Sequence, residues 1–261
     1  MADTQHGEET QAGEATPVTA AVLVIGDEIL SGRTQDRNTG YIAQYLTGIG
    51  IDLREARVVP DIEEEIVAAV NALRARYTYV FTTGGIGPTH DDITADAIAV
   101  AFGVPLEEDP RAIAALLEYL KPEDLNPARR RMARIPRGAS LVNNPVSKAP
   151  GFRIENVIVM AGIPKVMHAM LDNVAPDLRT SIPVVSHTVR AQCKEGDVAE
   201  GLGAIALAFP SVSIGSYPFF EEGVPGTNLV LRSRDAEALS AAHDAVVQLV
   251  ARTESGGGGP F

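Results

Sequence analysis

Apolar residues along this chain fall either in short continuous runs or in longer stripes at helical spacing. Ala20-Ala21-Val22-Leu23-Val24-Ile25-Gly26 is such a run and predicts a strand buried on both faces. Between Asn38 and Gly48, residues Tyr41, Ile42, Ala43, Tyr45 and Leu46 mark a helix that ends at Gly48 to Gly50. Ile51 to Val59 reads as a second strand, and Pro60-Asp61 opens a helix through Ile66, Val67, Val70 and Leu73. Tyr77 to Thr82 gives a third strand and Thr94 to Phe102 a third helix. This alternation implies right-handed crossovers and a mostly parallel sheet with helices on both faces, an α/β/α three-layer fold.

Farther on, Asp109 to Arg131 reads as helical and charged, with Arg129-Arg130-Arg131 as its basic cluster. Ser140 to Val142 and Gly151 to Ile154 read as a strand pair around the loop Asn143 to Pro150. Asn156 to Met160 predicts another buried strand, and Ala161-Gly162-Ile163-Pro164 turns into a helix from Lys165 to about Val174. Pro176 and Pro183 bracket a boundary. After it come a strand (Val184 to Ala191), a helix (Glu195 to Phe209), two strands (Ser211 to Pro218, Thr227 to Ser233) and a helix (Asp235 to Ala251). That β-α-β-β-α order belongs to a small α+β module. The expected organisation is a disordered tail over residues 1–16, an α/β domain over 17–175, the module over 176–253 and a disordered tail over 254–261.

A chain of 261 residues accommodates this plan. Its net charge of −12 argues against a general nucleic-acid binder, which needs a basic face. A small anionic ligand stays open if backbone amides and a cation supply the local positive field. Cys193 is the single cysteine, so no internal disulfide forms; its thiol reads as a small half-buried apolar group. No run approaches the ~20 apolar residues of a membrane helix. The N-terminus lacks the basic start and apolar core of a signal peptide. A cytoplasmic protein without membrane contact is expected.

The densest chemistry is Thr82-Thr83-Gly84-Gly85-Ile86-Gly87-Pro88-Thr89-His90-Asp91-Asp92-Ile93-Thr94. Its glycines let backbone N–H groups approach a ligand, and the helix start beyond them favours an anion. Two adjacent aspartates suit a divalent metal bridging to phosphate. Gly26-Asp27-Glu28-Ile29-Leu30-Ser31-Gly32, backed by Asp36 and Asn38, follows the first strand at the sheet edge where α/β ligands sit; alternatively Asp27 or Ser31 caps a turn. Asp61 follows the second strand. It is either a ligand contact or the N-cap of a capping box with Glu64. In the rigid loop Asn143 to Gly151, the asparagines can read a heterocycle edge and Lys148 can meet a phosphate; an ordinary proline loop is the alternative. Walker, spaced dinucleotide-binding and nucleophile-elbow motifs are absent.

Together these segments resemble the molybdopterin-binding (MoaB/Mog-like) domain family, and most closely its competence/damage-inducible branch. The resemblance covers about Val18 to Val174, and the module beyond is similar to the KH-like second domain of that branch. It implies a three-layer fold, often in a homo-oligomer. In the molybdenum-cofactor branch, acids matching Asp61 and Asp92 serve pterin adenylylation and the glycine turn holds the pterin phosphate. In the competence/damage-inducible branch, the domain is linked to metal-dependent hydrolysis of nucleotide pyrophosphates such as ADP-ribose. Longer members carry a further domain that deamidates nicotinamide mononucleotide; this chain stops before it, so that activity is expected to be absent. Ser147 departs from the pattern, standing where the family usually has glycine.

The resulting expectation is an ADP-ribose-type pyrophosphatase. Asp92 and Asp61 would be catalytic, and Asp27, Glu28 and Asp92 would bind Mg²⁺ or a similar ion. Gly26, Ser31, Thr83, Gly84, Gly85, Gly87, Asn144, Lys148 and Gly162 would bind the substrate. Molybdopterin as ligand, with adenylylation or molybdate insertion, is the alternative, and a non-catalytic nucleotide-binding module is a third.

Overall fold

The computed structural model describes residues 17–256, which divide into two compact units at Ser181/Ile182. The first unit begins with β1 (Val18–Ile25), α1 (Asp27–Leu30), α2 (Asn38–Gly48) and β2 (Ile51–Val59). Next come α3 (Glu63–Arg76), β3 (Tyr79–Thr83), α4 (Thr94–Phe102), β4 (Leu106–Glu108) and α5 (Pro110–Leu117). It ends with α6 (Pro127–Arg130), β5 (Arg134–Pro136), β6 (Ser140–Val142), β7 (Gly151–Ile154), β8 (Val157–Met160) and α7 (Pro164–Val174).

The main sheet has the order β2-β1-β3-β8-β7-β6. The first four strands are parallel, β7 runs antiparallel to β8, and β6 runs antiparallel to β7. Side chains alternate across β1. Ala21, Leu23 and Ile25 pack with α3 and α4 on one face, while Val18, Ala20, Val22 and Val24 pack with α2 and α7 on the other. A strand apolar at every position therefore supplies two cores, which fixes the three layers.

The parallel strands bring their carboxyl ends, and the loops that follow them, to one edge. The β6–β7 loop joins them, because Val142 and Gly151 pair where β8 ends. Every predicted site residue lies on this edge or next to it.

Three differences have local causes. The charged stretch after Asp109 is not one helix: Pro122 and Pro127 break it into α5, a 3₁₀ turn and the short α6. Leu106–Glu108 and Arg134–Pro136 form a small antiparallel ribbon that is too short to show a period. The first unit also runs past residue 175, because the Ser181 hydroxyl donates to the Gly50 carbonyl and accepts from Val18 N–H.

The second unit consists of β9 (Val185–Ala191), α8 (Glu195–Ala208), β10 (Ser213–Glu221), β11 (Val224–Ser233) and α9 (Ala236–Gly256). Its antiparallel sheet has the order β10-β11-β9, with Leu229, Leu231, Leu239 and Val246 in the core. The expected β-α-β-β-α order is present. Residues 254–256, expected in a disordered tail, continue α9; the other tail positions, 1–16 and 257–261, lie outside the described residues. No described helix is long and apolar enough to cross a membrane.

Candidate functional site

The glycine bend after β3 is held by its own backbone and by Thr94. Gly84 has φ 105°, and a Cβ there would collide with the Ile25 carbonyl oxygen of β1. Gly85 has φ 66°, and a Cβ there would strike the Thr94 hydroxyl, which donates to the Gly84 carbonyl at 3.0 Å. Thr94 N–H closes the bend onto the Gly85 carbonyl at 3.0 Å. Only glycine fits these positions.

The bend offers fewer amides than its sequence suggests. Gly84 N–H already donates to the Met160 carbonyl at 3.2 Å, so Gly84 is a spacer between strands and not an anion contact. The N–H groups of Gly85, Ile86 and Gly87 meet no acceptor among the described residues. On the side lined by Arg131, Arg134 and Phe152 the cavity beside the bend is only about 10 Å³. That is room for about one water and too little for a phosphate. The bend is therefore open to a phosphate only elsewhere.

Asp92 points back at the bend but serves its shape. Its Oδ2 accepts from Thr89 N–H at 2.9 Å and from the Thr89 hydroxyl at 2.5 Å, and a Cβ on Gly87 would lie 2.6 Å from it. Arg131 donates to the Asp92 carbonyl at 3.2 Å. Asp92 thus closes an Asx-type loop through Oδ2.

The acids that do converge are Asp61, Asp27, Glu28 and Asp91. Asp27 N–H donates to Asp61 Oδ2 at 3.0 Å, joining the ends of β1 and β2. Glu28 folds over Gly26, where a Cβ would lie 2.5 Å from its Oε2. Gly26 N–H donates to the Val59 carbonyl at 3.1 Å. Burial raises the Asp61 carboxyl above the ordinary aspartate value, and the charges of Asp27, Glu28 and Asp91 add to the rise against the Asp27 N–H. Asp61 is not the N-cap of α3: that position is Ile62, and no side chain caps the helix. Among the described residues, Asp27, Glu28 and Asp61 form no ion pair, and no three acids, histidines or cysteines gather closely enough to hold a metal unaided.

The remaining predicted contacts divide. Ser31 is exposed, and its hydroxyl donates to the Glu28 carbonyl at 3.3 Å, closing the turn after α1. Thr83 is buried and its hydroxyl has no partner. Gly162 is exposed and packs on Gly84, and its carbonyl accepts from Asn38 Nδ2 at 2.8 Å.

Asn144 and Lys148 already have partners within the chain. Asn144 is buried and saturated: its Nδ2 donates to Ser147 Oγ and the Ala149 carbonyl, and its Oδ1 accepts from the amides of Val146 and Ser147. It organises its own loop and has no group left for a ligand. Ser147, in place of the usual glycine, is part of that network. Lys148 Nζ is 2.7 Å from Glu118 Oε2, so a carboxylate from another element engages the cation expected for phosphate.

A family model described as a probable molybdopterin binding domain matches residues 21–180. The chain belongs to the molybdopterin-binding domain family. A second model, described as the middle domain of FAD synthase, matches residues 183–254, the small module. A CinA-like protein of a Geobacter species is 35% identical over 215 residues, covering 74% of this chain and 52% of its own length. A probable FAD synthase of Caenorhabditis elegans is 30% identical over 261 residues, covering 89% of this chain and 50% of its own. The chain thus spans about half the length of each of these two relatives. The crystal structure of CinA from Thermoplasma acidophilum, titled as of unknown function, is 35% identical with a TM-score of 0.59. It covers 62% of this chain, and the match spans 99% of that chain. The family and the mostly parallel α/β fold expected from sequence are therefore those of this protein.

Proposed function

We propose that the first unit hydrolyses a nucleoside-diphosphate-linked small molecule of the ADP-ribose class with the help of a divalent cation. One observation carries this reading: an acid group without cationic partners (Asp61, Asp27 and Glu28) shares a sheet edge with the unbonded amides of Gly85, Ile86 and Gly87. The amides favour a phosphate and the acids repel it, so the two are compatible only with a cation between them.

Mg²⁺ fits such a donor set, since it commonly takes one or two carboxylates and completes its shell with water and phosphate oxygens. Asp61, with Asp27 or Glu28, would hold it, and when bound it polarises the phosphoryl group and acidifies water. Asp61, with its raised affinity for a proton, suits the task of accepting one from the attacking water. The bend amides would hold a phosphate oxygen while water adds across the P–O–P bond, giving AMP and ribose 5-phosphate from ADP-ribose.

The assay is turnover of ADP-ribose with Mg²⁺ by the wild type and by Asp61→Asn. Equal rates in the two proteins remove Asp61 from the chemistry. The match to the FAD synthase middle domain favours FAD as a second substrate, its pyrophosphate being of the same class and its hydrolysis giving FMN and AMP. A pterin phosphate is the remaining reading, in line with the family's description; pterin fluorescence from oxidised purified protein would support it.

A further inference from the structure

Three elements of the first unit meet beside the glycine bend: the end of β3 and the starts of α2 and α7. Asn38, which opens α2, is 6% exposed; its Nδ2 reaches the Gly162 carbonyl at 2.8 Å. Gly162 lies against Gly84, with a Cβ on it only 3.3 Å from the Gly84 Cα. Thr83 precedes that glycine. Its side chain is on the face that α2 and α7 cover, since Tyr79 and Phe81 of the same strand pack in that core.

This junction is polar and unsatisfied. Asn38 Oδ1 and Thr83 Oγ1 are both buried and without a hydrogen-bond partner. Native interiors leave few such atoms unless a ligand or water completes them. Asn38 Oδ1 is an acceptor and calls for a donor such as a sugar hydroxyl.

The flank of the junction is positive. The N–H groups of Gly162, Ile163 and Lys165 meet no acceptor among the described residues, and α7 has no acid in its first turn. At α2 the carboxylate of Asp36 already takes the amides of Asn38 and Thr39. The α7 start is therefore the one of the two open to an anion. Arg37 and Lys165 are exposed and unpaired among the described residues, whereas Lys148, Arg130, Arg134 and Arg137 are all in ion pairs.

We infer that this junction is a sugar-phosphate subsite. The phosphate rests on the amides of Gly162, Ile163 and Lys165 with the side chains of Lys165 and Arg37, and a sugar hydroxyl donates to Asn38 Oδ1. The inference rests on the reading that the site takes a nucleoside-diphosphate-linked molecule, and it assigns the sugar phosphate distal to the adenylate to the α7 side.

Calorimetric titration of the full chain with ribose 5-phosphate and, separately, with AMP tests it. Lys165→Gln, at an exposed position, is expected to weaken ribose 5-phosphate by about tenfold while AMP changes less than about twofold. Equal affinity of wild type and Lys165→Gln for ribose 5-phosphate overturns the subsite, as does no binding of that probe. So does a matching loss for AMP, which would make Lys165 a general attraction for anions. If ADP-ribose is not turned over but ribose 5-phosphate binding still depends on Lys165, the hydrolytic reading fails and the subsite stands.

Discussion

The Asp27 amide donates to Asp61 Oδ2 at 3.0 Å, which ties two parallel strand ends together through a carboxylate partly withdrawn from water among three other acids. The bond joins a backbone amide to a side chain 34 residues farther along the chain, and the surrounding repulsion is what a bound cation would relieve.

Asp61 therefore costs the fold something at neutral pH. Its folded pKa lies above the unfolded value, so the protonated form is favoured in the folded state. Stability is full below the ordinary aspartate pKa and falls as pH rises through the raised one. Asp61→Asn keeps an acceptor for the Asp27 amide, and is expected to raise the melting temperature at pH 7 by about 2 °C while lowering ADP-ribose turnover at least about 100-fold. Melting curves from about pH 4 upward should fall for the wild type more than for the variant. Parallel curves would show that Asp61 titrates normally.

Asp92 separates shape from chemistry. Asp92→Asn retains an oxygen for Thr89 N–H and hydroxyl, so turnover should remain within about threefold of wild type; Asp92→Ala removes the acceptor and should cost about 1–2 kcal/mol of stability together with activity. A collapse of activity in the asparagine variant with its melting temperature intact would return Asp92 to a catalytic role.

Gly84→Ala should be among the most damaging changes in the first unit. The methyl group meets the Ile25 carbonyl and the backbone has φ 105°, so a loss of about 3 kcal/mol or more is expected in denaturant unfolding. Wild-type stability in this variant would mean that the β1–β3 contact is looser than described.

Lys148→Ala and Asn144→Ala should behave oppositely. The lysine variant loses one partly exposed ion pair, worth about 0.5 kcal/mol, and KM for ADP-ribose should stay within about twofold. The asparagine variant removes four hydrogen bonds that organise its loop, with an expected cost of about 1–2 kcal/mol read as a lowered denaturation midpoint. A large KM effect in Lys148→Ala would show that the lysine leaves Glu118 to reach the ligand.

Much of the fold was legible in the chain because burial leaves a period. The run Ala20 to Ile25 and the stripe Ile42, Leu46 state which sides are covered, and the glycine cluster after Phe81 marks a bend that no side chain could enter. The split of the charged segment by Pro122 and Pro127 was written there too, but its net charge and helical residues masked it. For the candidate site, the sequence already showed that Asp61, Asp27 and Glu28 follow the ends of two strands.

Sequence alone thus determined the layers, the parallel sheet edge and the glycine bend, because each depends on residues a few positions apart. Tertiary structure alone decided which polar groups remain free. Lys148 meets Glu118, Asn144 is saturated by its own loop, Asp92 by Thr89, and Gly84 N–H by Met160, whereas Arg37, Lys165 and Asn38 Oδ1 are left over. A residue type states what a group can bond. Only the folded chain, which brings partners together across dozens of residues and fixes their geometry, states whether that bond is already made.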